Sequence, residues 1–456
     1  MQFRSKPVEE HRDVPVADEE KFETLVAHWK RRDGSKVREV GVVRSYVASV
    51  VHGKDEFPIA KEREILALAQ AQGDTVVGHE LCRIREPDPR ALFRKGMANG
   101  LAARAIACGA DTLLVDALLT PSQARNLEDL TGLSVRDREA VILNVFQRHA
   151  QTRKARIQVE IAHLQYLRPR IRGLGLEMDQ QAGGVVGSRG PGETASELLA
   201  RQLDGRLATL RKAFAQVASD ADVQRKQRSE CKRIALVGYT NAGKTTLMNG
   251  LTDAKLSAAD QPFETLDTTS RCLSRHGGDV LLSDTVGFIR ELPERLFASF
   301  ESTLAEIGDS SLLAIVVDMS DREHEEHLAE TERVLERLGA ISIPRFYIFT
   351  KVDQCRFAPT RWKQKMLSRG APHAALCGQD KSAIATLRDA LLVEARRDHP
   401  ICTLLVPYAA TEATNTIYAH CRVLEAEPQN AGMLFRIQAE PRWLASIEAA
   451  LERSTQ

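Results

Sequence analysis

The sequence predicts an α/β multidomain chain built around a P-loop nucleotide domain, and three observations carry that prediction. First, the apolar run Ile234-Ala235-Leu236-Val237 feeds into Gly238-Tyr239-Thr240-Asn241-Ala242-Gly243-Lys244-Thr245, which reads G-x-x-x-x-G-K-T, and Thr246-Leu247-Met248-Asn249 then opens a helical pattern. Strand, glycine loop and helix in that order form a phosphate-binding element rather than a chance glycine turn. Second, strand-like and helix-like stretches alternate between residues 36 and 138, as in a small parallel α/β domain. Third, residues 139–230 read as two long helices joined by a glycine cluster, a helical hairpin linker.

Composition sets outer limits. The 456 residues are 43% hydrophobic and 27% charged, ordinary for a globular chain, and the length allows two to four domains. A formal net charge of +1 gives no global preference for polyanions, so any nucleic-acid contact must come from local patches. Eight cysteines are scattered without a C-x-x-C pair, which favours reduced, packed thiols over zinc or disulfides. The polar start, MQFRSKPVEEHRDVPVADEEKFE, has no apolar signal core, and no apolar run reaches membrane-spanning length, so a cytoplasmic protein with no membrane span is expected.

Taken in order, residues 1–35 are a charged extension with room for one helix around Glu19–Lys30. In the N-terminal α/β domain, 36–138, strands are expected at 40–43, 46–50, 75–78, 112–116 and 134–137, and helices at 60–71 and 100–108 and from Pro121, where proline suits a first turn. Arg85–Arg90 and Arg94-Lys95-Gly96 lie on a strand-to-helix connection; a solvated loop is favoured over an anion site. In the linker, apolar residues at helical spacing span Val141–Ile171 and Ala195–Arg228, joined through Gly183–Gly192. Basic residues flank both arms, among them Arg153, Arg156, Arg168, Arg211 and Lys212. They read either as a solvated helix face or as a surface for phosphate backbone. The tip, with Arg189, Gly190 and Gly192, tilts the reading toward contact with a large partner. The nucleotide domain spans 231–397, and 398–456 reads as a small α+β C-terminal domain with strands at 402–408 and 432–437 and a helix near 411–420.

The nucleotide domain carries the chemistry. Gly238 and Gly243 let backbone N–H groups turn toward phosphate oxygens, Lys244 can reach the β- and γ-phosphates, and Thr245 can offer its hydroxyl to Mg²⁺. Tyr239, Thr240, Asn241, Ala242 and Thr246 complete the nucleotide-binding loop. Phe263 and Thr265 stand in a hydroxyl-rich stretch behind it. Val280–Ser283 is a strand ending in Asp284-Thr285-Val286-Gly287, where the carboxylate can hold Mg²⁺ through water and the Gly287 N–H can sense the γ-phosphate. Two more buried strands end at Asp318 and at Thr350-Lys351-Val352-Asp353. A carboxylate at 353 can accept from N1–H and the 2-amino group of guanine, a pair that adenine lacks, so the set favours GTP over ATP.

These segments resemble the HflX family of translational GTPases. The resemblance covers about residues 36–456 and rests on the phosphate loop, the run Asp284–Phe288, the run Pro121–Glu128 and the G-S-R-G-P-G-E-T loop from Gly187 to Thr194. It implies a P-loop GTPase domain with Mg²⁺ as cofactor and GTP as substrate. It also implies binding to the large ribosomal subunit and its RNA, GTP hydrolysis stimulated there, and a role in splitting or rescuing stalled ribosomes; a monomer is expected. By the motif, Thr265 is the switch threonine closing on Mg²⁺ and γ-phosphate, so Lys244, Thr265 and Gly287 are the catalytic residues and Thr245, Thr265 and Asp284 the metal ligands. Phe288 stands where many GTPases carry a water-orienting glutamine, which implies slow turnover until a partner or ion assists. The sequence departs from the family in places. Thr350 replaces an asparagine, and Cys377-Gly378-Gln379 is the best placed match to the final base-contacting motif. Gly-Lys-Gly appears as Arg94-Lys95-Gly96, which weakens the expectation that the N-terminal domain takes ATP. Two rivals stay open on the sequence: a scaffold that holds GTP with little hydrolysis, and an ATP-driven RNA remodeller.

Overall fold

The computed structural model describes residues 43–53, 58–171, 195–227, 231–252, 269–273, 280–297, 307–355, 360–377 and 380–455. The expectations for 1–35, for the hairpin tip with Arg189, Gly190 and Gly192, and for Phe263, Thr265 and Gly378 fall outside these residues. The chain divides into two units: one takes residues up to 55 together with 73–137, the other takes 56–72 and everything from Arg138.

The first unit is a parallel sheet. Its strands are β1 (Arg44–His52), β2 (Thr75–Ile84), β3 (Thr112–Val115) and β4 (Ser134–Asp137), in the order β2-β1-β3-β4. Helix α1 (Pro58–Ala71) lies between β1 and β2 in sequence but belongs to the second unit. Helices α2 (Lys95–Ala107) and α3 (Pro121–Thr131) pack on each other in the first. The start of α3 is set by its own sequence. The Thr120 hydroxyl accepts the Gln123 N–H, the Gln123 side chain accepts the Thr120 N–H in return, Pro121 opens the helix, and Gly132 closes it at φ +66°. Strand β2 runs past the expected Gly78 to Ile84, and α2 starts at Lys95 rather than Gly100. Leu101, Leu113, Leu127 and Val135 lie in this unit's core.

The linker corrects one expectation. The stretch read as one helix over 141–171 is two, α4 (Arg138–His149) and α5 (Arg153–Ile171). Thr152 starts the second, its hydroxyl accepting the Ala155 N–H at 3.1 Å. Helix α6 (Ala195–Gln227) packs against α5. Arg168 binds Asp204 and Arg206 binds Glu160, so the two helices run antiparallel.

The GTP-motif region forms a six-stranded sheet, order β10-β9-β8-β5-β7-β6. In chain order its elements are β5 (Lys232–Gly238), α7 (Lys244–Thr252), β6 (Thr269–Cys272), β7 (Val280–Asp284), β8 (Leu312–Asp318), α8 (His324–Arg337), β9 (Arg345–Thr350), α9 (Arg361–Leu367), β10 (His373–Ala375) and α10 (Lys381–Ala395). Strand β6 is antiparallel to β7 and the other pairings are parallel. Helices cover both faces, so central strands such as Leu312–Val317 read as unbroken apolar runs. Ile234, Leu236, Leu282, Val316 and Ile348 share one core with Leu247 and Met248 of α7 and Leu387 and Leu391 of α10. Gly238, Asp284, Asp318, Thr350 and Ala375 therefore all stand at the carboxyl ends of parallel strands, the edge where open α/β sheets bind ligands.

The tail holds β11 (Ile401–Val406), α11 (Thr411–His420), β12 (Arg422–Gln429), β13 (Gly432–Gln438) and α12 (Pro441–Thr455), with an antiparallel sheet in the order β11-β13-β12. Strand β12 and helix α12 were not anticipated from the sequence. Among the described residues no helix is long and apolar enough to cross a membrane.

Candidate nucleotide site

The site grows from the β5–α7 junction. Gly238 ends β5 at φ +155°, and a Cβ there would collide with the Val316 carbonyl oxygen of β8. Asn241 takes the left-handed conformation at φ +61°, which asparagine tolerates. Lys244 begins α7 and points back into the loop, its Nζ donating to the Gly238 and Tyr239 carbonyls at 3.1 and 2.7 Å. Burial pulls its pKa down and the Asp284 carboxylate offsets part of that, leaving it at about 8. A bound phosphate supplies the anionic field that keeps such a buried ammonium charged.

The Thr245 hydroxyl donates to Asp284 Oδ2 at 3.0 Å. A threonine hydroxyl next to a buried carboxylate is an all-oxygen donor pair, the chemistry that Mg²⁺ selects, so these residues fit that ion. The chain after Asp284 then lies on the phosphate loop. The Thr285 hydroxyl donates to the Leu236 carbonyl at 2.7 Å. Phe288 donates its N–H to Gly238 O at 3.1 Å and accepts from the Thr240 N–H at 2.8 Å, extending the sheet by one bridge. Gly287 is pressed so close that a Cβ would come within 2.9 Å of Thr240 Cα and 3.0 Å of Lys244 Nζ. Phe288 itself is buried.

On the far side, the Thr350 hydroxyl donates to the Ala242 carbonyl at 2.8 Å and the Val317 carbonyl at 3.1 Å. Lys351, at φ +52°, donates from Nζ to the Asn241 carbonyl at 2.9 Å and pairs with Asp318 at 2.8 Å. Asp353 lies on the following short turn of 3-10 helix and is exposed. Cys377 follows β10 at the same sheet edge. The described residues of the motif set thus converge on one edge. Sequence reasoning missed the roles of Asp318, which orients Lys351, and of Glu64, which accepts from the Tyr239 hydroxyl.

Family comparisons agree with this geometry. Residues 60–147 match the profile "GTP-binding GTPase N-terminal", 149–228 "GTP-binding GTPase Middle Region" and 233–351 "50S ribosome-binding GTPase". GTPase HflX of Spirochaeta thermophila is 37% identical over 356 residues, covering 77% of this chain and 86% of that one. The chain belongs to the HflX family of GTPases.

Further HflX relatives agree. GTPase HflX of Gluconacetobacter diazotrophicus is 38% identical over 80% of this chain and 76% of its own length. GTPase HflX of Escherichia coli is 39% identical over 272 residues, 59% of this chain and 64% of that one. A solved GTP-binding protein from Sulfolobus solfataricus in complex with GDP aligns at a TM-score of 0.44 and 21% identity over 78% of this chain and 99% of that one. As an HflX GTPase with a P-loop GTPase fold, the chain binds GTP and hydrolyses it to GDP and phosphate.

Proposed function

We propose that this GTPase works on the large ribosomal subunit, splitting or rescuing stalled ribosomes, with GTP hydrolysis stimulated by that subunit. The match of 233–351 to a profile described as "50S ribosome-binding GTPase" carries the reading. The exposed Arg153, Arg156, Arg168, Arg211 and Lys212 on the helical pair support it, since cationic faces on rigid helices suit RNA phosphates. In this reading the chain is a cytoplasmic monomer with an extension (1–35), an N-terminal α/β domain (36–138), a helical linker (139–230), a GTPase domain (231–397) and a C-terminal domain (398–456). Arg189, Gly190 and Gly192 at the hairpin tip contact the ribosome.

At the site, Lys244 binds the β- and γ-phosphates, Gly287 offers its N–H to the γ-phosphate, and Asp353 reads guanine with Lys351 along the ring. Cys377 and Gly378 border the base. Thr245, Asp284 and Thr265 hold Mg²⁺, which when bound neutralises charge on the transferring phosphoryl group. The deciding measurement is GTP turnover with and without purified large subunits, beside matched ATP reactions. Strong, GTP-selective stimulation is expected; tight GTP binding with no stimulation overturns the ribosomal role. Replacing Asp353→Asn should weaken GTP far more than ATP, because the amide presents a donor to the guanine N1–H. Equal losses would remove the guanine assignment.

A further inference from the structure

One carboxylate from outside the 233–351 GTPase match reaches the phosphate loop. Glu64 lies in α1, and its side chain is 12% exposed. Oε1 accepts from the Arg138 guanidinium of α4, and Oε2 accepts from the Tyr239 hydroxyl. Both partners then grip the same residue. The Tyr239 hydroxyl oxygen accepts the Arg290 N–H at 2.9 Å, and Arg138 donates to the Arg290 carbonyl at 3.1 Å. The Arg290 side chain is held as well, by Glu323 at 2.6 Å and by His327 Nε2 at 3.2 Å. The His327 ring stacks on Tyr239 with centroids 3.7 Å apart and planes 9° from parallel.

Arg290 stands three residues after Gly287, the glycine pressed against Thr240 and Lys244. The ladder at Phe288 and the clamp at 290 hold the chain immediately downstream of Gly287 at two successive points. We propose that Glu64 is a positioning residue for GTP hydrolysis: through Tyr239 and Arg138 it fixes the path of the segment that carries Gly287 over the phosphate loop. A buried ion pair adds little to stability compared with apolar packing of the same volume. What Glu64 adds is direction, since its two partners converge on the N–H and C=O of one residue in the hydrolytic segment. A displacement of about 1 Å in such a segment can cost up to about a hundredfold in rate. The proposal rests on the GTPase activity of the family and not on the ribosomal reading.

The test uses the full-length chain without ribosomes: steady-state GTP turnover, affinity for a fluorescent GDP, and thermal melting. The variants are Glu64→Ala, Tyr239→Phe, the double variant and Glu64→Gln. Tyr239→Phe keeps the ring on His327 and removes the hydroxyl, so it stands even where Glu64→Ala fails to fold. Each of the first two should lower kcat about tenfold, with KM and GDP affinity within about threefold. The double variant should fall no lower than the worse single, because both act through Arg290. Glu64→Gln, whose single amide oxygen can accept from Tyr239 or Arg138 but not both, should turn over at a rate between those of the parent and Glu64→Ala. A kcat within about twofold of the parent, a rise in kcat, losses that multiply in the double variant, or equal loss of kcat and GDP affinity overturns the proposal.

Discussion

Thr350 braces the phosphate loop with one hydroxyl, which donates to the Ala242 carbonyl and is shared with that of Val317. Thr350→Ala removes the one hydroxyl proton shared by the Ala242 and Val317 carbonyls and should cost about 1–3 kcal/mol of nucleotide affinity, seen as a rise of about five- to 150-fold in the Kd for fluorescent GDP. Thr350→Asn should shift that Kd by less than about threefold, because the brace is already made. His327 makes a second prediction. Burial, helped by the nearby Arg290 cation, lowers its pKa, while Asp321 and Glu64 pull the other way and only partly offset this. The folded chain therefore binds fewer protons there than the unfolded chain, and this contribution to stability is lost as pH falls below about 6.5. His327→Phe should keep the stack on Tyr239 and flatten that part of the melting-temperature profile; an unchanged slope would place the titration elsewhere. Single residues at the motifs were legible because their chemistry is tied to fixed spacing. Glu64 was not, since its contact with Tyr239 spans 175 positions and no spacing rule reaches so far.

At the scale of elements, the strand, phosphate loop and helix were readable from their apolar run and glycines, and so was α3 from its cap. The break at Thr152 was not, because no glycine or proline stands between the two helices and only one capping hydroxyl marks the restart. Strand β12 escaped for a different reason. It is an edge strand, largely exposed, with Glu425, Glu427 and Pro428 in place of alternating apolar residues. Helix α12 did carry a signal, with Pro441 at its start and Leu444, Ile447 and Leu451 at helical spacing. The segment Asp284–Phe288 makes the sharpest element-scale prediction. Gly287→Ala must lift it off Thr240 and Lys244, so GTP turnover should fall by at least about a hundredfold while GDP affinity stays within about fivefold. Turnover kept within tenfold would show that this docking is dispensable.

Over the whole molecule, the C-terminal elements from β11 to α12 carry a core of their own with Val406, Ile417, Phe435, Ile437 and Ile447. Phe435→Ala should cost that core about 3–5 kcal/mol, read from the fluorescence melt of Trp443, and leave intrinsic GTP turnover within about twofold. A parallel loss of turnover would mean that the tail supports the nucleotide site. The two compact units cut across the order of elements along the chain. The chain crosses between them ahead of α1, again behind it, and a third time ahead of α4. This threading bears on how such a gene can change by recombination. A single breakpoint between residues 52 and 75 delivers β1 from one parent and its neighbour β2 from another, and one at 231 parts Glu64 and Arg138 from Tyr239 and Arg290. Shuffled descendants of this chain should survive when the first 397 residues are inherited as one block, with breakpoints tolerated chiefly beyond them.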